Sequence, residues 1–136
     1  MKFEIIEKTY RINRIRLEKV AQAAFSVLGE EKDGHIELIF VSRDKIQKLN
    51  RDYRKIDEIT DILSFTLEHQ PLIGQMFICY TKAREQSIER NIELDKEIER
   101  LLIHGLAHLY GYDHQTRTEQ NDMEKVEKLI LERTES

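Results

Sequence analysis

The sequence predicts an α+β fold in which helices pack on a small mixed β-sheet. Short apolar segments rich in β-forming residues alternate with longer segments of helical periodicity. The C-terminal half shows helical patterns only, so strands and helices are partly segregated along the chain. Neither an internal repeat nor a linker rich in Pro, Gly or Ser interrupts the 136 residues. We therefore expect one domain spanning residues 1–136.

The N-terminal part of the chain predicts two strands and two helices. Residues 3–6 form a short strand candidate, and the apolar run at 36–41 predicts a second strand. Apolar residues recur at helical spacing over 17–28, with Asn13 as the N-cap and Gly29 as the C-terminal stop. A shorter helical stripe then consists of Ile46, Leu49 and Tyr53.

The middle of the chain predicts a hairpin followed by a helix. Residues 62–66 and 76–80 are two further strand candidates. The segment between them contains Pro71 and Gly74, and a loop built from such residues permits an antiparallel hairpin. Thr81 can cap a helix that reaches about residue 91.

Two more helices follow at the C-terminal end. One covers about 95–110 and ends before Gly111, which can adopt the left-handed conformation of a helix stop. Thr116 and Glu119 have the spacing of a capping box, which predicts the start of the last helix. This helix presents three apolar residues on one side: Met123, Val126 and Ile130.

Composition and charge exclude several classes of protein. The chain has 22 basic and 26 acidic residues, and a net charge of −4 argues against wrapping of nucleic acid by the whole surface. No apolar run approaches the ~18 residues of a membrane span, and the N-terminus has no signal-peptide pattern. The single cysteine, Cys79, suits a reducing compartment. We expect a cytoplasmic protein without a membrane partner.

The segment with the clearest chemistry is L-L-I-H-G-L-A-H-L-Y-G-Y-D-H, residues 101–114. Its helix is apolar on nearly all sides, which predicts burial, and a buried imidazole needs a partner. His104 and His108 are four residues apart and project from one helix face. A turn at Gly111 would bring His114 to the same place. We predict one divalent metal ion held by these three histidines, with a fourth position open to water; Zn²⁺ is the best match, and nickel and copper also accept imidazole.

The spacing of these histidines also matches the motif H-x-x-x-H-x-x-G-x-x-H of metzincin peptidases. A zinc peptidase of that class needs a glutamate after the first histidine as its base. This chain has Gly105 there, so the peptidase hypothesis is the weakest one. A lone histidine on a packed helix is usually an ordinary core residue, but the triple spacing favours a metal site.

The segment H-G-L-A-H-L-Y-G-Y-D-H, residues 104–114, resembles the signature of the bacterial YbeY family of metal-dependent endoribonucleases. A second stretch, L-N-R-D-Y-R-K-I-D-E-I-T-D-I-L-S-F at 49–65, resembles that family's other characteristic segment. The resemblance implies metal ligation by the three histidines and an important arginine at Arg54. It also implies a single-strand-preferring RNase that acts in 3′-end maturation of small-subunit rRNA and in ribosome quality control. Its partners would be rRNA, the small ribosomal subunit and assembly factors, and no DNA partner is expected.

Two positions depart from the family pattern. Thr66 stands where relatives usually have proline after L-S-F, which affects the stiffness of the loop. Gln75 stands where they usually have aspartate, which removes a carboxylate.

Arg54 is the candidate catalytic residue, because a guanidinium can bind two phosphate oxygens at once and stabilise developing charge. It belongs to a basic segment, 43–55, with six basic and two acidic side chains, a net of +4. If this segment lines the cleft, it offers RNA a basic path; otherwise it is a solvated helix face.

Asp113 either orients a ligand histidine or shapes the turn, and we favour the turn. Ser64 is most simply a core hydroxyl.

The rival to an endoribonuclease is a ribosome-assembly or RNA-binding factor whose ion is structural and which does not cut RNA. The absence of a glutamate at position 105 is its main support.

Overall fold

The structure is a computed structural model that describes all of residues 1–136. Its strands are β1 (Lys2–Ile6), β2 (His35–Val41), β3 (Ile62–His69) and β4 (Leu72–Cys79). Its helices are α1 (Arg14–Leu28), α2 (Arg43–Arg54), α3 (Tyr80–Arg90), α4 (Leu94–Leu109) and α5 (Arg117–Glu135). The predicted α+β class, with helices on a small sheet, is confirmed.

The four strands form one mixed sheet in the order β1-β2-β4-β3. β1, β2 and β4 run parallel, whereas β3 pairs antiparallel with β4 and lies at the edge of the sheet. The hairpin predicted from the segment around Pro71 is therefore present. Because successive side chains of a strand point to opposite faces, the edge strand β3 contributes residues to both sides of the sheet.

Three predicted helix ends are confirmed. The Asn13 side chain accepts a hydrogen bond from the backbone N–H of Arg16, 3.1 Å away, at the start of α1. Gly29 ends that helix with φ of 119°, a conformation that L side chains rarely adopt. Thr116 and Glu119 make both hydrogen bonds of a capping box at the start of α5.

Other predicted boundaries were wrong. Gly74 is not in a loop but inside β4, where a Cβ would lie 3.1 Å from the Leu109 side chain. The glycine thus permits close packing of the end of α4 on the sheet. Tyr80 does not end a strand but begins α3, and Cys79 rather than Thr81 is the N-cap. The Tyr80 hydroxyl donates to the carbonyl of Arg11 at 2.9 Å, so the start of α3 contacts the segment before α1.

The core places α4 at the centre of the molecule. A cluster of 21 buried residues fills the space between one face of the sheet and α1 and α4. Five side chains of α4 in this cluster are at most 2% exposed: Ile98, Leu101, Leu102, Ile103 and Leu106. On the opposite face, α2 packs through Ile46 and Leu49 in a smaller cluster. None of the helices has the length and apolarity that crossing a membrane requires.

Candidate metal centre

Three histidines converge at the C-terminal end of α4. The ring centroids of His104 and His108 are 4.7 Å apart, and the ring of His114 lies 5.9 Å and 5.3 Å from them. Each residue has a ring nitrogen within 4.8 Å of the others. The structure therefore brings together all three predicted ligands, close enough to share one ion.

The turn after α4 returns His114 to the helix. Gly111 has φ of 96°, and its N–H donates to the carbonyl of His108 at 2.9 Å. The backbone N–H of His114 donates to the Asp113 carboxylate at 2.7 Å. The side-chain amide of Gln120 donates to the carbonyl of His114 at 3.0 Å, which links the turn to α5. Asp113 thus shapes the turn, the role that we favoured, although its carboxylate is also 3.8 Å from Nδ1 of His114.

Glu127 of α5 is a residue that sequence reasoning missed. Its Oε2 lies 3.0 Å from Nδ1 of His104. A carboxylate that accepts a hydrogen bond from one ring nitrogen sets the tautomer and leaves Nε2 available to a metal. The two residues are 23 positions apart, and no spacing rule relates them. Only the packing of α5 against α4 reveals this contact.

The environment of His108 favours its neutral form. Burial lowers the pKa of His108 below its ordinary value of 6.5, and the neighbouring His104 and His114 lower it further. A neutral imidazole has the free lone pair that a metal requires. Three imidazole donors at this spacing fit a zinc-like ion, and the donor chemistry also accepts nickel or copper.

The histidines open into a cleft of about 790 Å³ at the edge strand β3. Arg54, at the end of α2, lines this cleft and is exposed. The other arginines and Lys48 of the basic segment make ion pairs outside it, Arg43 with Glu85, Lys48 with Asp52, and Arg51 with Asp57. Of the basic side chains in segment 43–55, only that of Arg54 lines the metal cleft, so the predicted basic path is reduced to one residue there.

Arg100 is a second guanidinium in the cleft that sequence reasoning missed. It lies on α4 one turn before His104. Its Nε and Nη2 donate to the Glu97 carboxylate at 3.0 Å and 2.7 Å. Glu97 is fully buried and also accepts from Gln86 at 2.7 Å. The spacing of four between Arg100 and His104 was the signal that could have identified it.

This arrangement keeps both charges in place. Burial alone raises the pKa of Glu97, but hydrogen bonds from Arg100 and Gln86 outweigh it, and the pKa falls below the ordinary 4.5. The same ion pair raises the pKa of Arg100. A buried charge without such partners is strongly destabilising. Glu97 therefore holds Arg100 as a fixed positive group beside the histidines.

Gly105 faces the sheet rather than the cleft. A Cβ there would lie 2.7 Å from Cδ1 of Ile62 and 2.9 Å from Sδ of Met76. Any larger residue at this position would require the ends of the Ile62 and Met76 side chains to shift. Glycine at position 105 thus allows α4 to pack closely on β3 and β4.

Ser64 is half-buried and lines the cleft. The expectation of a core hydroxyl at this position was therefore wrong.

Gln75 lies on the outer face of the sheet, where its amide donates to Glu37 at 3.0 Å. His35, Glu4 and Glu37 form a second group within 4.8 Å on that face, and Lys2 already pairs with Glu4 at 3.0 Å. Neither Gln75 nor His35 belongs to the cleft.

The sequence is similar to those of one family of proteins over almost its whole length. The sequence profile of the family described as Endoribonuclease YbeY matches residues 2–135. The Endoribonuclease YbeY of Bacillus licheniformis is 35% identical over 146 residues, which cover 96% of this chain and 92% of that protein. The Endoribonuclease YbeY of Acholeplasma laidlawii is 35% identical over 90% of this chain and 89% of its own length.

A solved structure shares the fold. The solution structure of TM1509 from Thermotoga maritima superposes with a TM-score of 0.68 at 29% sequence identity. The alignment covers 98% of this chain and 89% of that chain.

Proposed function

This chain belongs to the YbeY family of endoribonucleases, and from that premise we propose that it cuts single-stranded RNA with one divalent ion bound by His104, His108 and His114. It is an enzyme, a hydrolase of phosphodiester bonds in RNA. The observation that supports the proposed site is the convergence of three imidazoles in a cleft that also contains two guanidiniums. We propose further that residues 1–136 act as one catalytic domain.

The residues of the cleft have separable tasks. A bound divalent ion supplies Lewis acidity to the phosphodiester and a water of lowered pKa. Arg54, which is free of an acidic partner, binds the non-bridging phosphate oxygens and stabilises the charge that develops on them. Arg100, held by Glu97, adds a fixed positive charge on the opposite wall. Glu127 orients the His104 ring.

We extend the proposal to the biological substrate. The proposed substrate is ribosomal RNA, with action in 3′-end maturation of the small-subunit rRNA and in ribosome quality control. The partners would be the small subunit and its assembly factors, in the cytoplasm, with zinc as the ion. The family relation and the imidazole donor set support these assignments.

The test is an RNA cleavage assay with purified protein. A single-stranded RNA and a DNA of the same sequence are incubated with protein as isolated, after chelation, and after addition of Zn²⁺. We expect cleavage of RNA only, loss on chelation, return with metal, and loss in His114→Ala. Arg54→Ala should bind metal normally and lower kcat/KM about 100-fold or more. Leu67→Ala, at an exposed side chain of β3, is the control.

Cleavage that survives both chelation and His114→Ala would contradict the metal mechanism. A metal-loaded protein that binds rRNA and never cuts it would instead favour the non-catalytic assembly factor.

A further inference from the structure

We propose that Tyr53, supported by Phe65, forms a stacking subsite for an unpaired nucleobase of the RNA at the mouth of the metal cleft. The Tyr53 ring is 70% exposed, yet its centroid lies 5.4 Å from that of Phe65. Phe65 in turn packs against Phe77 with centroids 5.9 Å apart. The exposed ring is therefore supported from below by an ordered row of aromatic side chains. This inference rests on the proposed function.

The position of Tyr53 distinguishes it from other exposed apolar residues. Single exposed hydrophobic side chains are common and usually need no explanation. Ile15 and Ile88, for example, are 85% and 74% exposed but lie on α1 and α3, outside the cleft. Tyr53 and Phe65 both line the cleft that contains the histidines. Phe65 packs against the smaller core cluster, whereas Tyr53 belongs to no core cluster although it lines the metal cleft.

The edge strand divides the cleft into two walls. Ser64 pairs with Met76 and faces α4, whereas Phe65 pairs with Gln75 and faces the side of α2. The imidazoles and Arg100 therefore lie on one wall, and Tyr53, Arg54 and Phe65 on the other. An RNA strand that lies across β3 can have a phosphate at the histidines and Arg54 while an adjacent base stacks on Tyr53.

The chemistry of this wall predicts a preference for unpaired bases without a preference for a particular sequence. Every nucleobase has a π-face, so stacking on an aromatic ring tolerates all four bases. Stacking also requires the base to leave its neighbours, which unpaired RNA does at little cost and a duplex does not. The adjacent guanidinium of Arg54 supplies the phosphate contact that such sites combine with stacking.

The first test measures Kd, KM and kcat of the metal-loaded enzyme on single-stranded RNA. We expect Tyr53→Ala to raise Kd and KM roughly 5- to 100-fold with a much smaller change in kcat. Tyr53→Phe, which keeps the ring, should match the wild type, and Tyr53→Leu, which keeps an apolar side chain, should resemble Tyr53→Ala. Metal content should be equal in all four proteins, and Ile88→Ala is the control for loss of an exposed apolar residue.

The second test uses oligonucleotides with one abasic nucleotide at successive positions near the cleavage site. In the wild type, an abasic nucleotide at one particular position should weaken RNA binding by the same factor as Tyr53→Ala does with intact RNA. In Tyr53→Ala, an abasic nucleotide at that position should cause no further loss. Unchanged KM in Tyr53→Ala, wild-type affinity in Tyr53→Leu, or penalties that multiply would overturn the stacking subsite while leaving RNA cleavage established. A metal-loaded wild type that neither binds nor cuts RNA would overturn both proposals.

Discussion

At the scale of single residues, the hydrogen bond between His104 and Glu127 orients one of the three proposed metal ligands. The 3.0 Å contact from Oε2 to Nδ1 fixes how the His104 ring is presented. Neither residue is deeply buried, with side chains 28% and 25% exposed, so an altered glutamate need not disturb the core.

We therefore predict that Glu127→Ala lowers metal affinity about 10- to 100-fold, because the ring loses its orienting partner. Competition with a chromogenic chelator measures this affinity without reference to RNA cleavage. Glu124→Ala, at an exposed position of the same helix, should bind metal like the wild type. Equal affinity in the two variants would show that Glu127 does not position the ligand.

A second prediction at this scale concerns Glu97 and acid stability. Hydrogen bonds from Arg100 and Gln86 hold the pKa of Glu97 below the 4.5 that an ordinary glutamate has. The unfolded chain thus binds more protons in this pH range, so the stabilisation is present above about pH 4.5 and is lost as the pH falls through the lowered value. Glu97→Gln should flatten this acid dependence and weaken the fixation of Arg100.

The measurement is the free energy of unfolding by urea at a series of pH values from neutral to acidic. Glu89→Gln, an exposed position on α3, is the matched control and should keep the wild-type dependence. Identical acid limbs for Glu97→Gln and the wild type would contradict the assigned role of Glu97.

At the scale of secondary structure, the end of α4 determines whether the third ligand reaches the other two. Gly111 has a positive φ of 96°, and nothing lies within 4 Å of a Cβ placed there. The position is therefore constrained by backbone conformation rather than by space. Strain introduced here falls directly between His108 and His114.

We predict that Gly111→Ala lowers stability by about 1–2 kcal/mol and also lowers metal affinity, because the turn relaxes and displaces His114. Asn91→Ala provides the control, since Asn91 ends α3 with φ of 56° and lies in another part of the chain. It should lose stability and keep metal affinity. Thermal unfolding and chelator competition separate the two effects, and normal affinity in Gly111→Ala would refute the link between turn and ligand.

At the scale of the whole molecule, an acidic protein has two guanidiniums, those of Arg54 and Arg100, at the proposed RNA site. The net charge is −4, and the cleft is lined by Arg54 and Arg100 as well as by Asp61 and Asp113. The proposed site itself offers few phosphate contacts, because only these two guanidiniums line it. Binding should therefore be local and only moderately sensitive to salt.

We expect the logarithm of RNA affinity to fall with the logarithm of salt concentration at a slope of roughly −1 to −2, since each phosphate contact on a single strand contributes about 0.7. Arg54→Ala should reduce the magnitude of this slope by about 0.7. Arg43→Ala, whose ion pair with Glu85 lies outside the cleft, should leave the slope unchanged. A much steeper slope, or no change in Arg54→Ala, would show that RNA contacts a different surface.

Local patterns in the sequence were sufficient for the α+β class, the caps at Asn13 and Thr116, and the set of three histidines. The caps and the histidine set depend on residues close together in the chain, and the fold class depends on the order of local patterns, so residue type and spacing are sufficient for them. The ends of the β3–β4 hairpin and the start of α3 could not be read in this way. Gly74 and Tyr80 are placed by contacts with α4 and with the segment before α1.

The sequence by itself therefore predicted that three histidines converge where they could hold a metal ion, because helical periodicity and a glycine turn are local properties. Only the tertiary structure decided what surrounds them: Glu127 on His104, the buried Glu97 that holds Arg100, and Tyr53 at the opposite wall. These groups come from separate helices, and their approach follows from how α2, α4 and α5 pack around the sheet. No spacing along the chain encodes that packing, since it results from the burial of the whole core.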